Sequence, residues 1–262
     1  PAVLQRESGL HSPSGTRREN MAPSFEELDY QQTRMGELIL RRRTMKLLDD
    51  LEVYEVILGD AFLMSSLFTA VEIALADLGL AAVQNDAPLD VVVGGLGLGY
   101  TAQAALRDER IGELLVVDAI AEVIGWHEKG MVPLGAELTA DSRCRFVHGD
   151  FFALAADPAT GFDPDRAGRR FDAVLIDIAH TPNNILDPSH ASLYSSGGLR
   201  SLAAHIEPGG VFAMWSDDPP EDDFMRSLRE VFADVGSEVV TFWNPILEKH
   251  SKSTVYLAKG HS

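Results

Sequence analysis

From about residue 65 onward the chain alternates short apolar runs with longer segments of mixed polarity. Seven runs have strand character: 90–93, 114–118, 145–148, 171–177, 210–215, 238–243 and 253–257. Helical segments fall between the first five. The last two runs are joined by a short loop around Pro245, too short for a crossover helix. That spacing predicts a closing antiparallel pair. Alternating strands and helices ended by such a hairpin predict an α/β fold, a doubly wound sheet of seven strands with an antiparallel last strand.

Ahead of this lie two other patterns. Residues 1–27 are rich in Ser, Pro, Arg and Glu and have no periodicity, so they read as a disordered extension, with Met21 a candidate natural start. Residues 28–64 read as a small N-terminal β unit. Its strands are 37–41 and 52–58, with a turn at 48–51. Residues 65–262 then form the larger domain. The stretch from Leu67 to Val83 is the most apolar of the chain. Glu72 and Asp77 interrupt it, so it reads as a helix with one buried face rather than a membrane span. Arg41, Arg42 and Arg43 read as a solvated strand edge in preference to a phosphate site.

Charge and cysteine content narrow the function classes. Forty acids against 22 bases leave a formal charge of −18. That opposes a nucleic-acid or anionic-membrane partner. Cys144 is the one cysteine, so no disulfide can form within the chain, and a cytoplasmic location is expected. Cys144 itself reads as a small buried thiol.

The first strand of the larger domain runs into Gly94-Gly95-Leu96-Gly97-Leu98-Gly99-Tyr100. A glycine loop between strand and helix lets a ligand lie against bare backbone, as in Rossmann-like nucleoside sites. Tyr100 stands where a dinucleotide site carries its last glycine. The spacing better suits a nucleoside with a short amino-acid tail, such as S-adenosylmethionine. Three successive strands then end in acids: Asp118, Asp150 and Asp177. Ligands of such sheets bind outside the carboxyl ends of the strands. Asp118 is placed to accept from ribose hydroxyls and Asp150 to read an adenine amino group. A helix N-cap is the competing reading for any one of them.

From about residue 28 to 260 the chain resembles the spermidine synthase family, the polyamine aminopropyltransferases, which have a small β domain before a class I methyltransferase fold. The matching stretches are Gly95-Leu96-Gly97-Leu98-Gly99, Val116-Val117-Asp118, His148-Gly149-Asp150, Phe171 to Asp177 and Ile206 to Val211. Leu193-Tyr194-Ser195-Ser196 also resembles that family's helix start after its catalytic loop, and Asp217 stands near its Glu after the fifth strand. The resemblance implies an aminopropyl-type transfer from decarboxylated S-adenosylmethionine, or a relative, to a small amine. It also implies a homodimer. Gly95, Gly97, Leu98, Gly99, Asp118 and Asp150 would hold the co-substrate, and Asp177 would orient or deprotonate the amine.

Two positions depart from that pattern. The family's glycine loop carries an Asp where this chain has Leu98, and its catalytic loop carries a second Asp where this chain has His180. Ammonium groups need carboxylates to offset their desolvation. Leu98 also removes a charge that would repel the carboxylate of intact S-adenosylmethionine. His180, with an ordinary pKa near neutrality, becomes a candidate general base beside Asp177. Two alternatives stay open: an S-adenosylmethionine-dependent methyltransferase acting on a small molecule, and a catalytically silent nucleoside-binding protein. Asp177, His180, Asp187 and His190, with Asp217 or Asp218, could form a metal site, but the expected reading is that no metal is held.

Overall fold

The computed structural model describes residues 25–84, 88–178, 181, 182, 185 and 187–261. It begins with a four-stranded antiparallel sheet: β1 (Phe25–Thr33), β2 (Gly36–Met45), β3 (Leu51–Leu58) and β4 (Ala61–Ser65), paired in chain order. Residues 25–27, expected in the unpatterned extension, already belong to β1; residues 1–24 lie outside the described residues. The turn before β3 is made by Asp49 and Asp50, both with positive φ, at 53° and 59°.

The arginine cluster is not at an edge. β2 is interior, between β1 and β3. Arg41 and Arg43 both grip Glu55 of β3, at 2.6 and 2.8 Å, and Glu55 is only 1% exposed. Arg42 pairs with Glu26 and Glu52 on the flanking strands. Cross-strand charge pairs therefore account for the cluster, which a strand-by-strand reading cannot see.

The larger unit follows as α1 (Ala70–Ala82), β5 (Leu89–Gly94), α2 (Tyr100–Leu106), β6 (Ile111–Asp118), α3 (Ala121–Glu128), α4 (Gly135–Ala140), β7 (Cys144–His148), α5 (Phe151–Ala156), β8 (Phe171–Ile176), α6 (Ser196–Ala203), β9 (Ile206–Ser216), α7 (Asp222–Arg229), β10 (Asp234–Asn244) and β11 (Lys249–Lys259). Its strands form one sheet in the order β10-β11-β9-β8-β5-β6-β7. Strands β5 to β9 are parallel, β11 runs against β9, and β10 against β11. All seven expected strands are present, including the closing hairpin.

The central strands are apolar on both faces because helices cover both. Val91, Val93, Leu114 and Val116 enter one core with α1, α2, α3 and the small sheet. Val92, Leu115 and Val117 enter the other, with α5, α6 and α7. The order reverses between β5 and β8. Such a switch point opens a crevice at the strands' carboxyl ends. Here that end holds the glycine loop and Asp177, whose N–H donates to the Gly94 carbonyl at 2.8 Å. The small sheet packs over the same end. Trp126 of α3 joins the two parts by donating from Nε1 to Asp29 of β1 at 2.6 Å.

Candidate active site

A cavity of about 290 Å³ lies over the switch point. That is close to the lower bound of small-molecule sites, roughly 300 Å³, so it suits one nucleoside-sized ligand. Its floor comes from the glycine loop and the ends of β6 and β8. Its far wall comes from the small sheet, through Val56, Leu58, Leu63 and Met64. Five lining residues are acids: Glu72, Asp118, Asp150, Asp177 and Asp187. Among the described lining residues none is Lys or Arg.

Gly95, Gly97 and Gly99 adopt positive φ, and the first two line the cavity. A Cβ on Gly95 would strike the Asp177 carbonyl at 2.2 Å, so this glycine lets the loop press onto the end of β8. A Cβ on Gly97 would meet Met64 Sδ at 2.3 Å. Gly99 packs against Leu138 and His127 and leads into α2. Protein atoms fill the places their side chains would take, while the backbone of Gly95 and Gly97 still lines the cavity. Leu98 turns its side chain away from the site. Its side chain is fully buried in the core and does not line the cavity. It cannot read the tail of a ligand there; only its backbone N–H points toward the site, where it donates to Met64 Sδ at 3.1 Å.

The three strand-end acids all reach the cavity. Asp118 accepts from the Leu96 N–H at 2.9 Å and the Ile120 N–H at 2.8 Å, one on each oxygen. Burial pushes its pKa up, and those backbone donors oppose the shift. Asp150 caps α5 with Oδ1, accepting from Phe152 and Ala153. The cap reading therefore holds for Asp150 without taking it away from the cavity. Asp177 accepts from the Thr101 hydroxyl at 2.6 Å. Burial raises its pKa well above the usual carboxylate range, against that one bond.

Glu72, in the first turn of α1, is a cavity-lining acid that sequence reasoning did not single out. Burial raises its pKa strongly, and the charge of Asp177 raises it further, with a smaller contribution from Asp217. Two neighbouring carboxyl groups of this kind resist joint ionisation. The available signal was an acid inside the chain's most apolar stretch. His190 was also undervalued. It is 8% exposed and stacks on Phe152 with ring centroids 3.7 Å apart, forming the cavity wall near Asp150. Burial lowers its pKa, so it is neutral at pH 7. His180 lies outside the described residues. Among the described residues no group of three or more His, Cys, Asp or Glu side chains could hold a metal ion. No helix among them is long and apolar enough to cross a membrane.

A sheet of this order, with a reversed final hairpin and a small antiparallel sheet over its carboxyl end, defines a Rossmann-like fold of the methyltransferase type, in the form found in spermidine synthases. Among solved structures, the chain matches spermidine synthase from Thermotoga maritima with a TM-score of 0.66 and 15% identity, covering 89% of this chain and 72% of that one. A spermidine synthase in complex with the transition state analogue AdoDATO matches equally well. At that identity the likeness is one of fold. Over 164 residues, 60% of this chain, the sequence is 29% identical to polyamine aminopropyltransferase 2 of Pseudomonas aeruginosa. The match spans 43% of that relative, less than half its length. No family model matches the chain.

Proposed function

We propose that this chain is a transferase of the polyamine aminopropyltransferase type. It moves an aminopropyl-type carbon group from a sulfonium nucleoside, decarboxylated S-adenosylmethionine or a relative, to a small amine. The observation that carries the reading is the single cavity that gathers Asp118, Asp150 and Asp177 with two further acids and, among its described lining residues, no basic one. Such a site favours a cationic donor and a cationic acceptor over anionic ones.

When bound, the donor supplies an electrophilic carbon next to a positively charged sulfur. Asp118, held by two backbone N–H groups, is set to accept from the ribose hydroxyls. Asp150 keeps Oδ2 outside its cap for a base amino group. Asp177 faces the acceptor nitrogen. That nitrogen's lone pair forms the new N–C bond while the C–S bond breaks and its electron pair returns to sulfur. The departing thioether is neutral and needs no acid. The surplus proton on nitrogen passes to the Asp177 carboxylate, so the chief tasks are alignment and proton removal. One observation favours a methyltransferase as the second reading: the glycine loop brings no carboxylate into the cavity, because Leu98 is turned into the core.

Donor binding tests the proposal. Asp118→Asn should weaken decarboxylated S-adenosylmethionine by roughly 10- to 100-fold in calorimetry, the worth of a hydrogen bond to a charged group. An unchanged affinity, or no binding to the unaltered protein, would remove the donor from this cavity.

A further inference from the structure

β4 does not follow the alternation of an ordinary strand. Val56 pairs with Met64 and Ile57 pairs with Phe62, so Leu63 is an extra residue with no partner in the ladder. Bulges of this kind re-aim side chains and concentrate beside functional sites. Here the bulge sends two consecutive side chains, Leu63 and Met64, into the same cavity. Met64 reaches the glycine loop, lies where a Gly97 side chain would be, and takes the Leu98 N–H on its sulfur.

That hydrogen bond pairs a good donor with a poor acceptor, because a thioether sulfur accepts weakly. A carboxylate at the same place would make a charge-assisted bond. The loop itself is fixed. His127 holds the Gly97 carbonyl from behind at 2.9 Å, and Gly95 is pressed against the Asp177 backbone. The movable part is the unbranched end of Met64. We infer that Met64 is the donor-selecting residue of this site: its sulfur masks the one glycine-loop N–H that would reward a carboxylate, and so biases the cavity toward nucleosides whose tail lacks one. The selecting task that Leu98 cannot perform through its buried side chain falls to its backbone and to Met64. This inference rests on the sulfonium-nucleoside reading of the cavity.

Three probes, measured by calorimetry, separate the cases: intact S-adenosylmethionine, decarboxylated S-adenosylmethionine, and methylthioadenosine, which has no amino-acid tail. In Met64→Ala the affinity of the intact donor should rise about tenfold relative to the decarboxylated one, while methylthioadenosine changes by less than about twofold. Met64→Leu keeps the bulk and loses the sulfur, so it should shift the ratio the same way by a smaller factor. It carries the test alone if the alanine variant does not fold. A ratio unchanged in the folded variants, with the unaltered protein still binding methylthioadenosine, overturns the role of Met64 and leaves the donor reading standing. Failure of the unaltered protein to bind any of the three overturns the donor reading and this inference with it.

Discussion

Asp177→Asn is expected to lower turnover by roughly a hundredfold to ten-thousandfold, the usual worth of a positioned general base, while donor affinity stays within about twofold. The substitution keeps shape and removes charge. Thr101 is 2% exposed and already donates to Asp177, so an amide can occupy the same place without a new void. A loss confined to donor affinity would put Asp177 in the nucleoside subsite and would sink its role toward the acceptor. The partner prediction concerns Glu72. Its folded pKa is raised, by burial first and by the Asp177 charge second. An unfolded Glu releases its proton near pH 4. Between that value and the raised folded value, the native state holds more protons than the unfolded one. Stability therefore falls as pH rises through this window, and the loss is complete above it. Glu72→Gln, which has no proton to lose, should stabilise the protein at alkaline pH and have little effect near pH 4. Thermal melts of the two proteins across pH check the sign. A stabilisation largest in acid would contradict a raised pKa.

The sheet was legible because its signal is local. Runs such as Leu114 to Asp118 are buried on both faces and read as apolar without interruption, and the acids that end them fall at the sheet's carboxyl edge by chain geometry alone. Side-chain direction inside irregular loops is not local. Leu98 sits between two glycines, and whether it faces ligand or core depends on how α2 docks on β5. Met64 was hidden for a related reason: one extra residue in β4 decides its face, and the strand sequence Ala61 to Ser65 does not announce a bulge. Glu72 was visible as an interruption in an apolar helix. Its meaning required knowing that the first turn of α1 lies beside Asp177. The arginine cluster was misplaced because its partner Glu55 lies on the neighbouring strand, twelve to fourteen residues away.

At the opposite end of the sheet, Asp163→Asn is expected to destabilise the fold by about 3–5 kcal/mol, as removing one member of a buried ion pair does. Asp163 is fully buried in the loop before β8. It receives Arg145 of β7 at 2.7 Å, Arg166 and Arg169 at 2.9 Å each, and the Asp165 N–H at 3.1 Å. Burial by itself would raise the Asp163 pKa. The bonds from Arg145, Arg169, the Asp165 N–H and Arg166 outweigh it and hold the carboxyl well below the usual range. Arg169 also meets Asp90 at 2.6 Å and Glu113 at 2.9 Å, and it lies over the Phe171 ring at 5.0 Å. The cluster thereby ties the amino ends of β5, β6, β7 and β8 together. Its contribution is present above about pH 4, where an unfolded Asp is ionised, and is lost as pH falls toward the depressed folded value. The Asn variant should therefore show lower stability in urea at pH 7 and a flatter acid limb than the unaltered protein. Because the cluster and the cavity occupy opposite ends of the same strands, the fraction that remains folded should bind donor normally. A stability change under about 1 kcal/mol would mean that Asp90, Glu113 and Asp165 satisfy the three arginines without Asp163. Weakened donor binding in the folded fraction would mean that strain at the amino ends of β5 and β8 travels to the switch point between them.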